Sequence, residues 1–475
     1  MGKPTGFMEV GRKESGYRPL QERIGDFGEV EQTLNEEDRK AQASRCMDCG
    51  IPFCHWGCTV CSKIPEWQDA LYRGDYKEAY EVLSSTNAFP EFTGRVCPAL
   101  CEKSCVLNIH NEPVTIRENE SAIVEKAFEL GIVEPRVPEV RTGKKVAVIG
   151  SGPAGLSVAD MLNQYGHSVT VYEADSAIGG LLRYGIPDFK LNKGLIDRRQ
   201  NLFEAEGIEF VVNTKVGVDI SKTELLKKYD AVCIAVGAMQ PRDLPVEGRD
   251  SQGAHFAMEF LKQQNKVVSG EKIKENDRIS AENKNVLVIG GGDTGSDCVG
   301  TSIRQKAKSV TQIEIMPKPP KERTDNNPWP YWPNILRTSS SHLEGCERRW
   351  SLATKKILSE NGKVSGAEVV KVEWKQDESG KFVMNEIPGS NEVIKADLIL
   401  LSMGFVHPEH EGLLDSLKVE YDNRGNVKTN ALNDQTTVNK VFACGDAKTG
   451  ASLVVRAIDS GRRTAENVHA YLVAK

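Results

Sequence analysis

The stretch KVAVIGSGPAGL, residues 145–156, decides the fold. Val146 to Ile149 read as a buried strand, and Gly150, Ser151, Gly152, Pro153, Ala154 and Gly155 read as a tight turn opening a helix. Each glycine has a mechanical reason: one makes the turn, one lets backbone amides approach a pyrophosphate, and one lets helix and strand pack closely. The helix N-terminus adds partial positive charge for the phosphates. A second strand begins at Ser168 and ends at Glu173, 18 residues past Gly155. A carboxylate there would accept the ribose hydroxyls of the adenosine half. At Asn285 the arrangement recurs as NVLVIGGGDTGSDCVGTSI, with Gly290, Gly292 and Gly295 in the same places. Two such units, about 140 residues apart, predict hydride transfer between two dinucleotides, usually a flavin and a nicotinamide.

The strand after the second fingerprint is VTQIEIM, from Val310. It carries no arginine for a 2′-phosphate. Glu314 would suit NADH, whereas Lys318, Lys321 and Arg323 just beyond could take the phosphate of NADPH, so both donors stay open. A further buried strand, AVCIAVGA, reads near Asp230, and late in the chain comes ADLILLSMGF from Ala396. Near the end, VFACGDAKTG (441–450) reads as strand and loop before a last helix, and its Gly445-Asp446 pair fits a second contact to the first dinucleotide.

Outward from these units, the chain has 475 residues, room for about three domains. Residues before about 140 lack β-branched strand runs and show helical spacing at Trp67–Ser84 and Glu118–Leu130. The expected fold is α/β with an α-helical N-terminal domain (1–140) and two Rossmann-like dinucleotide-binding domains, one (251–402) inserted in the other (141–250 with 403–475). With 61 Lys and Arg against 67 Asp and Glu, the net charge is −6, and no basic tract argues for nucleic acid. No apolar run nears the roughly 18 residues of a membrane span, and the N-terminus lacks the apolar core of an export signal. A cytoplasmic protein is expected.

Eight of the twelve cysteines fall in one short stretch, as Cys46, Cys49, Cys54, Cys58, Cys61, then Cys97, Cys101 and Cys105. In a reducing compartment, clustered thiols read as metal ligands. The count approaches two tetranuclear iron–sulfur clusters, and such clusters give a flavin an electron path that zinc does not. If residues 97–105 are helical, Cys97 and Cys105 stand about 12 Å apart, too far for one cube. Cys97 and Cys101 would then serve one cluster and Cys105 the other. Cys46, Cys49 and Cys54 wrap one cluster, and Cys58 reaches the second, which is left one ligand short. Cys61 or a carboxylate would complete it.

The whole chain resembles the small (β) subunit family of glutamate synthases. The resemblance rests on GKPTGFMEV at Gly2, the cysteine pattern, GGLLRYGIPDFK at Gly179, GGGDTGSDC at Gly290, MPKPPKERTDNNPWPYWP at Met316, LRTSSSHLEGCERRWS at Leu336 and CGDAKTGASLVVRAI at Cys444. The same module is similar to the N-terminal electron-input part of dihydropyrimidine dehydrogenase. The resemblance implies two 4Fe–4S clusters, one on Cys46, Cys49, Cys54 and Cys105, the other on Cys58, Cys97, Cys101 and Glu120. It places FAD on Gly150 to Gly155, Glu173, Gly180, Leu181, Lys190, Val216, Gly445 and Asp446. It places NADPH or NADH on Gly290, Gly292, Asp293, Thr294 and Gly295, with Met403 and Gly404 near its ring. It implies that NAD(P)H reduces FAD, and that single electrons pass through the clusters to a large (alpha) subunit. That FMN-containing partner makes two L-glutamate from L-glutamine and 2-oxoglutarate. No catalytic acid or base is expected, because hydride transfer needs positioning above all. The alternatives are a stand-alone NAD(P)H:ferredoxin-type oxidoreductase, an electron-input subunit for pyrimidine reduction, and a zinc-bound scaffold.

Overall fold

The computed structural model describes residues 2–474. The N-terminal part is helical, with its main helices at Glu36–Ala43, Ile64–Arg73, Tyr76–Thr86, Pro90–Val96 and Ile116–Glu129. The periodic stretch 67–84 is two helices and not one. Gly74 closes the first in the left-handed region (φ 80°), and the Asp75 side chain accepts the Glu78 N–H to open the second. Folded back on each other, they bury Trp67, Ala70, Leu71, Ala79 and Leu83 with Ile116 and Ile123.

The first sheet opens with β1 (Lys145–Ile149), β2 (Ser168–Tyr172), β3 (Glu209–Val211) and β4 (Ala231–Ile234). The chain then crosses at β5 (Gln240–Pro241) into a second sheet of β6 (Ala254–Phe256), β7 (Asn285–Ile289), β8 (Ser309–Glu314) and β9 (Glu347–Trp350). An antiparallel set follows: β10 (Leu352–Glu360), β11 (Lys363–Gln376), β12 (Phe382–Glu386) and β13 (Glu392–Lys395). β14 (Leu398–Leu401) completes the second sheet, β15 (Phe405–His407) crosses back, and β16 (Val441–Ala443) completes the first. The orders are β16-β4-β1-β2-β3 and β6-β14-β7-β8-β9, and every pairing in both is parallel. Runs of buried apolar residues such as Val146–Ile149 and Leu398–Leu401 suit strands covered on both faces. The two crossings pair with each other, Phe405 opposite Pro241. The second Rossmann-like unit is thus inserted in the first through a paired neck.

Buried ion pairs key the parts together. Arg199 Nε lies 2.6 Å from Glu91 Oε1, joining the thiol-bearing domain to the first unit. Arg304 holds Glu344 through both guanidinium nitrogens, and Arg23 of the N-terminal segment reaches the same carboxylate at 3.1 Å. Among the described residues no helix is long and apolar enough to cross a membrane.

Candidate functional site

Four thiols, those of Cys46, Cys49, Cys54 and Cys105, line one hollow of about 360 Å³, mouth included, among Met47, Phe53, Ile64, Leu107, Val114 and Ile116. Cys54 sits in the short helix Phe53–Gly57, and Cys105 caps the helix Leu100–Ser104. Burial pushes the Cys46 thiol up to about 12 and raises Cys49, Cys54 and Cys105; neighbouring thiols add to the rise at the first three and Glu102 at Cys105. Thiolates crowded in an apolar hollow need a cationic partner, so soft donors in this setting fit an iron–sulfur cluster.

The other four expected donors are Cys58, Cys97, Cys101 and Glu120. Cys58 and Cys97 terminate the helices Phe53–Gly57 and Pro90–Val96. Residues 97–105 do not form one helix. Ala99 turns left-handed (φ 61°), and the helix spans only Leu100–Ser104. The 12 Å separation argued from a continuous helix therefore does not apply. Cys101 and Cys105 have different thiol neighbours: Cys58 and Cys97 act on Cys101, whereas Cys105 acts on Cys46, Cys49 and Cys54. Glu120 lies on the buried side of Ile116–Glu129. Both of its hydrogen bonds, from Thr93 Oγ1 and from Asn87 Nδ2 at 3.2 Å, fall on Oε1, leaving Oε2 available. Burial pushes its carboxyl up to about 7, against the pull of Thr93. Its charge acts on Cys58, Cys97 and Cys101, secondary to their burial. Cys61, in contrast, is exposed. Asn87 and Thr93 carry no mark in the sequence that ties them to this site. They lie 33 and 27 residues from Glu120, with no spacing signal to link them.

At the first fingerprint a Cβ on Gly155 would lie 2.0 Å from the Gly150 carbonyl oxygen, so helix and strand meet through hydrogen alone. Gly152 has nothing within 4 Å on that side, the open approach a pyrophosphate needs. Glu173, just past β2, accepts the Ser151 N–H at 3.2 Å and the Ser151 hydroxyl on Oε2, and the Asp175 N–H at 2.8 Å on Oε1. Two left-handed corners cover the turn: Gly180, whose Cβ would meet Gly152 Cα at 2.9 Å, and Gly445, whose Cβ would meet that of Ala154 at 2.6 Å. Leu181 starts the helix beyond Gly180, Val216 packs in the cluster of Ile149 and Tyr172, and Asp446 accepts the Ser452 hydroxyl at 2.7 Å. Lys190 bridges to the second unit, its Nζ 2.6 Å from Asp297 Oδ1 and 3.3 Å from Ser296 Oγ.

The second fingerprint repeats the close packing: a Cβ on Gly295 would lie 2.4 Å from the Gly290 oxygen. Gly292 and Asp293 are exposed. Thr294 and Gly404 line one hollow with Pro241, Phe256, Ser402 and Phe405 beside the neck, and Met403 packs just behind it. Arg323 departs from expectation. Its guanidinium donates to the Tyr331 carbonyl at 2.7 Å and the Lys103 carbonyl at 3.2 Å, so it staples the 316–336 loop to the thiol-bearing domain and does not serve the end of β8. Trp329 Nε1 donates to the Cys105 carbonyl from the same loop at 3.2 Å.

Two families match along the chain: pyridine nucleotide-disulphide oxidoreductase over residues 144–461, and dihydropyrimidine dehydrogenase domain II, 4Fe-4S cluster, over residues 23–132. The glutamate synthase (NADPH) small chain of Bacillus subtilis is 46% identical across 100% of this chain and 99% of its own. That of Mycobacterium tuberculosis is 48% identical across 100% and 96%. A glutamate synthase (NADH) of Schizosaccharomyces pombe is 45% identical across 98% of this chain but only 23% of its own length. Among solved structures, Mycobacterium tuberculosis FprA in complex with NADPH superposes on 70% of this chain and 85% of its own with TM-score 0.56 at 18% identity, a likeness of fold alone.

Proposed function

This chain belongs to the glutamate synthase small-chain family, and on that premise we propose that it is the electron-input subunit of such an enzyme. It oxidises NAD(P)H and delivers electrons to a large (alpha) subunit that forms two L-glutamate from L-glutamine and 2-oxoglutarate. When bound, FAD accepts a hydride and 4Fe–4S clusters carry electrons singly. The carrying observation is a four-thiol hollow in a domain joined to two dinucleotide-type glycine loops within one chain.

The units read as 1–140, 141–250 with 403–475, and 251–402 then have separate tasks. The 150–155 turn with Glu173, Gly180 and Gly445 would hold FAD. The hollow at Thr294 and Gly404 would hold the nicotinamide, with Lys190–Asp297 fixing the two units against each other. Two clusters are supported by two donor sets. Cys58 and Cys97 pack against the core of the first unit with Phe89 and Phe92, so the second set is the inner one. Cys49 is among the least buried of the expected ligands of the outer set, which supports that set facing the partner. The Schizosaccharomyces pombe relative, in which the counterpart of this chain is part of a much longer polypeptide, supports a large partner. The setting expected is cytoplasmic.

Reconstitution tests this. The purified chain added to a large subunit should enable NAD(P)H-driven glutamate formation, while the chain alone should oxidise NAD(P)H only with an artificial acceptor. Glutamate formation at an unchanged rate without this chain would contradict the proposal.

A further inference from the structure

The two parallel sheets place their strand-end acids in one position. In the first, Ile149 of β1 pairs with Tyr172 of β2, and Glu173 follows, level with Gly150. In the second, Ile289 of β7 pairs with Ile313 of β8, and Glu314 follows, level with Gly290. The residue after the first glycine meets the acid in both. Ser151 donates its N–H to Glu173 at 3.2 Å, and a Cβ on Gly291 would lie 1.8 Å from Glu314 Oε2. The Glu314 carboxylate therefore lies over the backbone of the second turn, where the adenosine ribose of a nucleotide bound there must pass. An acid in that position accepts the 2′- and 3′-hydroxyls and opposes a 2′-phosphate through like charge.

Arg348 on the neighbouring strand β9 feels the Glu314 charge, but among the described residues no cation forms an ion pair with Glu314. Arg323 is held by carbonyls of its own loop and by Lys103. Lys318 and Arg348 rest on the Trp350 ring, 4.9 and 5.0 Å from its centroid, and Arg348 donates to the Arg337 carbonyl at 3.0 Å. Arg337 lies over Trp332 at 4.3 Å.

We propose that Glu314 is the specificity-determining residue of the nicotinamide site and that this chain takes NADH in preference to NADPH. The inference rests on the electron-input reading above and names its donor. Hydrogen bonds to a charged group contribute about 1.5–3 kcal/mol, or roughly a 10- to 100-fold preference in kcal/mol-to-ratio terms.

The test uses the complex with its large subunit and compares kcat/KM for NADH and NADPH in the native protein and in Glu314→Gln. A second readout, independent of turnover, is competition of ADP against 2′,5′-ADP for the site, followed by protein fluorescence. The native protein should favour NADH and ADP by about tenfold or more, and Glu314→Gln should bring both ratios toward one. Equal or better use of NADPH, or tighter 2′,5′-ADP, by the native protein would overturn the inference, as would unchanged ratios in Glu314→Gln. If neither nucleotide supports turnover, the electron-input reading fails, and the ADP competition still decides the role of Glu314.

Discussion

At residues 150–155 the glycine turn is roofed by Gly180 and Gly445, whose added Cβ atoms would meet Gly152 Cα at 2.9 Å and Ala154 Cβ at 2.6 Å. At residues 290–295 the same backbone leaves Gly292 and Asp293 exposed. Both turns rest on a glycine packed against a glycine carbonyl, and both carry an acid level with the first glycine. The difference is the cover. A resident cofactor is retained by a closed cradle, whereas a donor that exchanges at every turnover needs an open one. On the proposed assignment, one local design would serve two residence times, set by segments far away in sequence.

The largest test of that contrast is a valine at each packed glycine. Gly155→Val should yield folded protein with little flavin, because its Cβ would lie 2.0 Å from a carbonyl oxygen. Gly295→Val should keep its flavin and lose reduction by the nicotinamide. With backbone oxygens only 2.0 and 2.4 Å from the added Cβ atoms, each variant should lose its own nucleotide site almost entirely; equal flavin content in both variants would erase the distinction. Next is the key between the thiol-bearing domain and the first unit. Glu91→Ala strands the buried Arg199 guanidinium, and unfolding by denaturant should show a loss of about 3–5 kcal/mol. Glu173→Ala should be milder: FAD release measured by filtration should rise by roughly tenfold, about the worth of one charged hydrogen bond.

The smallest effect is a shared pH dependence. His167 in the first unit and His342 in the second are each pushed down to about 4 by burial. Each stays neutral in the fold while the unfolded chain takes up protons below about 6.5. Stability should be full above that pH and fall as pH drops from 6.5 toward 4. Thermal unfolding across that range should show it, and His342→Gln should flatten the slope.

What was legible in the sequence was what is local. The glycine turns and the strand-end Glu173 and Glu314 follow from residues within one βαβ unit, and the insertion follows from that unit's recurrence at Asn285 ahead of the Gly445-Asp446 loop. The break at Gly74 was hidden because apolar residues keep helical spacing on both sides of it. The antiparallel strands of 352–395 alternate weakly and expose much of one face, which blurs a strand signal. The cradle of Glu120 and the staple of Arg323 depend on partners 27–33 and 220 residues away. Such contacts belong to the tertiary fold, and nothing in a single strand or helix announces them.

The central claim is that one chain joins two cluster sites to a flavin site fed by a nicotinamide. Iron, acid-labile sulfide and flavin should be measured per chain on anaerobically purified protein. The account predicts about eight iron, about eight sulfide and about one FAD, with the flavin bleached by added NADH. Zinc in place of iron, or a colourless protein without flavin, would contradict it.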